Sequence, residues 1–137
     1  MQLSTYLSFN GDCRAAFEFY AQCLGGKIVA MLPFRDNPMC EGMPPETQDL
    51  IMHGCVEISG HRLMGTDATP QYPHKGIVGT HIVITLMDHA EATRIFQALS
   101  ENGKIEMPLQ ETFWAKLYGM TTDRFGVPWM INCDPVT

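Results

Sequence analysis

The sequence contains one unit twice. CLGGKI at residues 23–28 and SENGKI at residues 100–105 align at an offset of 77. The same offset lays Leu7 on Ile84, Ala15 on Ala92 and Phe19 on Phe96. A duplicated unit constrains a fold more tightly than a single motif, because both copies must build the same supersecondary structure. With 137 residues to share, each copy has room for about five elements and neither is a full-sized domain.

The elements follow from periodicity. Residues 3–10 alternate as a strand, with Leu3, Leu7 and Phe9 expected against a helix and Ser4, Tyr6 and Ser8 on the other face. Asp12 is the expected N-cap of a helix over residues 13–24, whose stripe is Ala16, Phe17, Tyr20 and Leu24, and Gly25-Gly26 ends it. Strands are expected at 27–32, 50–59 and 62–67, the last two around a turn at Gly60-His61. Residues 33–49 hold four prolines and no sustained period, so they read as a long loop of the kind that often binds or covers a ligand.

The second copy predicts a strand at 80–87, a helix at 88–100 ended by Asn102-Gly103, and strands at 104–111, 115–122 and 127–133. The expected organisation is module one at 1–68, a linker at 69–78 and module two at 79–137. In the second copy Ile82, Ile84 and Leu86 should face the helix, and His81, Val83 and Thr85 the opposite side. A sheet face carrying both apolar and polar groups suits a concave pocket.

Composition excludes several function classes. Nine basic against fifteen acidic residues give a net charge of −6, which argues against nonspecific binding to nucleic acid or anionic lipid. No apolar run reaches the ~18 residues of a membrane span, and the N-terminus has no basic start or apolar signal core. Five widely spaced cysteines, without a CxxC pair, suggest buried thiols in a reducing cytoplasm rather than disulfides or structural zinc. Cys40, in the long loop, is the one candidate for reactivity. No GxGxxG, P-loop, HExxH or GxSxG motif is present.

Two segments carry a resemblance. YLSFNGDCRAAFEFYAQCLGGKI opens the chain, and ETFWAKLYGMTTDRFGVPWMIN (residues 111–132) combines Trp114, Tyr118, Asp123, Phe125-Gly126 and Trp129. On these the chain resembles the vicinal oxygen chelate superfamily of glyoxalase I, bleomycin-resistance proteins and extradiol dioxygenases, and within it the PhnB-like group. The resemblance implies an α+β fold of two tandem βαβββ modules, forming a curved mixed sheet around a cleft, and commonly a homodimer. Domains of this type have been labelled demethylubiquinone methyltransferase-like, but no methyl-donor motif is present.

The resemblance also implies a metal test. Metal-dependent members hold a divalent ion with His and Glu from the first and last strand of each module. Here those positions fall on Ser4 (Thr5 if the register slips by one), Met64, His81 and Met130. One imidazole with two thioethers is a poor donor set for a hard or borderline dication, so no metal and no cofactor is expected. His53 and Glu57 flank Cys55 on one strand face; with His81 they are the one set that would rebuild a site. His61, His74 and His89 read as exposed.

Two functions follow as expectations. The first is a metal-free protein binding a small organic molecule in a cleft between paired modules, with Tyr6, His53, Glu57, Trp114 and Tyr118 as ligand-binding residues. Its ten methionines would make an adaptable apolar surface. Trp129 is expected in the core and Trp114 at the cleft or dimer seam. The second is a lyase or isomerase acting on a small oxygenated substrate, with His81 as catalytic base assisted by Tyr6 or Glu57.

Overall fold

The structure, a computed structural model, describes residues 1–136. Chain contacts divide it into two compact units, Met1–Lys75 and a second beginning at Gly76. Each unit is strand, helix and three strands, so the fold is α+β with tandem βαβββ modules.

Module one contains β1 (Thr5–Phe9), α1 (Cys13–Leu24), β2 (Lys27–Pro33), the short helix α2 (Pro45–Gln48), β3 (Ile51–Ile58) and β4 (His61–Asp67). Its sheet has the order β1-β4-β3-β2, with β1 parallel to β4 and the remaining pairs antiparallel. Module two contains β5 (Ile82–Leu86), α3 (His89–Ser100), β6 (Lys104–Gln110), β7 (Ala115–Thr122) and β8 (Pro128–Pro135). Its sheet repeats the pattern as β5-β8-β7-β6, with β5 parallel to β8.

Each helix lies on one face of its own sheet. Cys13, Ala16, Phe17, Tyr20 and Cys23 form the buried stripe of α1, so Cys23 takes the place expected for Leu24. Phe17 lies against Gly54 and Gly65, where an added Cβ would approach its ring to 3.0 Å. In module two Phe96 of α3 lies against Gly119 in the same way, at 2.9 Å. The glycines let an aromatic ring settle directly on the sheet backbone.

The copies are not in gapless register through their helices. Ala92, Ile95, Phe96 and Leu99 are the buried residues of α3. They correspond in burial to Cys13, Ala16, Phe17 and Tyr20, at an offset of 79 rather than 77. Ala15 is exposed whereas Ala92 is buried, so the alignment of Ala15 with Ala92 and Phe19 with Phe96 does not hold in space. The offset returns to 77 at Gly26 and Gly103. A Cβ at Gly26 would lie 2.5 Å from the Glu57 carbonyl oxygen, and one at Gly103 would lie 2.2 Å from that of Thr122. The residue before each is left-handed, Gly25 at φ 70° and Asn102 at φ 58°. Close backbone approach after a left-handed cap is what the two matched hexapeptides encode.

Several expectations fail locally. Asp12 occupies the N-cap position of α1 but makes no side-chain cap bond. Asp67, at the end of β4, accepts instead from Cys13 N at 2.9 Å. Asp88 caps α3 conventionally, accepting from Glu91 N at 3.1 Å. Leu3 precedes β1 and is 92% exposed, so it does not pack on the helix. The β3–β4 turn is Ser59-Gly60, both at positive φ, and His61 already belongs to β4. Residues 34–48 are not featureless: two 3-10 turns, Phe34–Asp36 and Pro38–Cys40, precede α2, and Arg35 pairs with Asp49.

Candidate functional site

Strand alternation fixes what each sheet presents on the face away from its helix. In module one Leu7 and Phe9 turn to α1 and are buried, so Tyr6 and Ser8 turn the other way. Tyr6 is in register with Met64, and Met64 with Cys55. His53 and Glu57 lie on the same side of β3 as Cys55.

Tyr6 and His53 meet. The phenol oxygen lies 3.2 Å from His53 Nδ1, and the rings stack at 5.8 Å between centroids with 25° between planes. With the phenol as donor, the imidazole proton resides on Nε2, pointing a donor away from the pair. Burial raises the Tyr6 phenol above its ordinary value of 10.0, with Cys13 adding to the rise. The phenol therefore keeps its proton at neutral pH. Glu57 does not join them; its carboxylate lies 3.4 Å from Arg62 Nε across the hairpin.

The long loop closes a cavity of about 400 Å³ in module one. Phe34, Met39, Met43 and Tyr72 give it apolar walls, while Ser8 and Thr66 come from the sheet. Cys40 lies half-buried beside it; the other four cysteines are buried. Asp67 also borders the cavity, but both carboxylate oxygens are engaged, one by Cys13 N and one by Ile51 N at 2.8 Å.

In module two the helix-free face is ordered by register into rows. Val83, Met130, Met120 and Met107 are paired in succession across all four strands. The next row is Thr85, Asn132, Tyr118 and Gln110. Tyr118 donates to Met130 Sδ at 3.2 Å, and its ring meets Trp114 edge-on at 5.1 Å. Phe113 meets Trp114 edge-on at 4.9 Å. Trp129 is buried instead, its indole donating to Asp123 Oδ2 at 2.9 Å.

His81 immediately precedes β5. Its Nε2 lies 4.0 Å from Glu106 Oε2, and Thr122 Oγ1 donates to the other Glu106 oxygen. Sequence reasoning missed Glu106, since the irregular pairing of β6 removes the alternation that would have placed it. It also missed Asn132, although its spacing of two from Met130 along β8 was a usable signal. Of the histidines expected to be exposed, His89 pairs with Asp134 at 3.0 Å, and His74 is half-buried with an unpartnered Nδ1.

At the positions that the resemblance assigns to a metal, only His81 offers a usual ligand. Ser4 is exposed, and Met64 and Met130 present thioethers, the latter already accepting from Tyr118. Among the described residues no group of three His, Cys, Asp or Glu side chains could hold an ion. The residues present do not fit a Zn²⁺, Ni²⁺ or Fe²⁺ centre. Nor, among those residues, is any helix long and apolar enough to cross a membrane.

Comparison with known proteins places this geometry in context. Residues 2–131 match the model of the Glyoxalase/Bleomycin resistance protein/Dioxygenase superfamily. Protein YjdN of Escherichia coli K12 is 40% identical over 140 residues, covering 96% of this chain and 95% of that protein. The crystal structure of PA1353 from Pseudomonas aeruginosa is 48% identical and superimposes with a TM-score of 0.90, covering 98% of each chain. A PhnB protein from Bacillus cereus is 22% identical with a TM-score of 0.80, covering 97% of this chain and 99% of that one, and shares the fold.

Proposed function

Since the chain belongs to the glyoxalase/bleomycin resistance protein/dioxygenase superfamily, we propose that it is a PhnB-like member that binds a small organic molecule without a metal ion. The observation that carries this reading is the chemistry at the superfamily's ligand positions. Thioethers stand at two of them, and a hydroxyl at a third. What those faces offer is an apolar surface with a few polar anchors, the usual make-up of a small-molecule site. Tyr6 and His53 supply one anchor pair, and Trp114 and Tyr118 supply flat aromatic contact. Glu57, which accepts from Arg62 across the hairpin, is a further polar contact in this reading. The long loop acts as a wall of the module-one cavity. The protein works in the cytoplasm as a homodimer; sedimentation velocity giving a monomer at micromolar concentration contradicts the latter. The reading is tested by screening small organic molecules for thermal stabilisation in the presence of a chelator. Stabilising compounds should lose their effect in Tyr6→Ala or Trp114→Ala. A screen in which stabilisation appears only when a divalent metal is added overturns it.

A second reading is favoured by the approach of Glu106 to His81. A carboxylate beside an imidazole can orient it, as in the arrangement of a general base. In this reading the protein is a lyase or isomerase on a small oxygenated substrate, with His81 as the base. The test is turnover of glyoxalase- and dioxygenase-type substrates by wild type and His81→Ala. Turnover lost with His81 favours it; turnover unaffected by the substitution removes its basis.

A further inference from the structure

The helix-free face of module two contains an unanswered acceptor. Asn132 Oδ1 is buried and has no hydrogen-bond partner. An orphaned buried carbonyl is destabilising, so such atoms are rare without a missing partner. Its neighbours in register do not supply one. Tyr118 lies directly across on β7 and donates to the Met130 thioether, a weak acceptor. Thr85 lies across on β5 and is not bonded to it.

The surroundings specify what could. The row containing Asn132 is Thr85, Asn132, Tyr118 and Gln110, all uncharged. Beside it runs the row of Val83, Met130, Met120 and Met107, polarizable and apolar. At the end of β7 stands the edge-to-face series of Phe113, Trp114 and Tyr118, with Trp114 36% exposed. A side-chain amide acceptor beside thioethers and aromatic edges matches a flat molecule with one N–H or O–H. A carboxylate or phosphate finds no cation in either row.

We propose that Asn132 anchors the ligand of module two, and that this ligand is an uncharged, flat aromatic molecule bearing an N–H or O–H donor. The donor bonds to Asn132 Oδ1 and the ring rests on Met130, Met120 and Trp114. This rests on the small-molecule reading above and narrows it to one residue and one ligand class.

The test uses indole and benzofuran, flat bicycles of similar size of which only indole carries an N–H. The full ¹⁵N-labelled protein is titrated with each. The chain has two tryptophans, so their indole signals report separately. Indole should shift the Trp114 Nε1–H and the Asn132 side-chain amide while the Trp129 signal stays in place. Its Kd should be about fivefold below that of benzofuran, the worth of one ordinary hydrogen bond. Asn132→Leu should abolish the preference. Equal Kd values in the wild type, or a preference that survives in Asn132→Leu, overturn the role of Asn132 but leave small-molecule binding intact. No shift at Trp114 with either probe overturns the placement of the site. If Asn132→Leu does not fold, intermolecular NOEs decide. Contact between indole and the wild-type Asn132 amide supports the anchor, and contact only elsewhere refutes it.

Discussion

Asp67 Oδ1 accepts from Cys13 N at 2.9 Å, so the last residue of β4 caps the first turn of α1 from 54 positions away. Its other oxygen holds Ile51 N at the start of β3. One buried carboxylate thus ties three elements together. Asp67→Ala leaves two buried N–H groups without acceptors and should cost about 2–4 kcal/mol. Asp12→Ala should fall within about 0.5 kcal/mol. Urea unfolding of the two variants checks the contrast.

Gly26 and Gly103 should be intolerant for the same reason in both modules. A methyl group at either would meet a strand carbonyl at 2.5 or 2.2 Å. Alanine at each position should destabilise by roughly 2 kcal/mol or more, since backbone cannot move aside as a flexible side chain would. Alanine at Gly42, where an added Cβ meets nothing within 4 Å but φ is 93°, should cost only about 1 kcal/mol of backbone strain. Thermal melts of the three variants order them.

Cys13 links structure to pH. Burial, reinforced by Asp67, pushes its thiol up from 9.0 to about 12. The folded state holds this proton more tightly than the unfolded chain. Stability from Cys13 is therefore fully present below about pH 9 and declines as pH rises from there toward 12. Cys13→Ala should flatten that alkaline slope in denaturant titrations.

Thiol accessibility gives an independent check. Four of the five cysteines are buried, and Cys40 is half-buried beside the loop cavity. A short pulse of iodoacetamide at pH 8 should label Cys40 alone in the native protein and all five after denaturation. Compounds filling the cavity should slow that single reaction.

Much of the architecture was legible because local signals and the duplication agreed. The doubled hexapeptide marks real equivalence: Gly26 and Gly103 meet the same backbone feature in both modules. The helices were legible as elements, but their two-residue shift was not, because burial at Phe17 and Phe96 is decided by glycines far along the chain. Asp12 misled for a related reason: the true cap comes from β4, and no local pattern announces it. The facing of individual side chains was legible where period-two alternation persists, as at Tyr6, His53 and Tyr118. It was lost where pairing is irregular, as at Glu106. Asn132 lies on a regular strand and was overlooked because it sits two places beyond the position that a metal enzyme would use.

In the proposed function this superfamily member binds its ligand without an ion, since thioethers stand at two of the positions that the resemblance assigns to a metal. Calorimetric titration of the purified protein with Zn²⁺, Ni²⁺, Mn²⁺ and Fe²⁺ addresses that directly. Only weak, non-stoichiometric heats are expected for all four, unchanged in His81→Ala. Tight uptake of one ion per chain, abolished by His81→Ala, would contradict it.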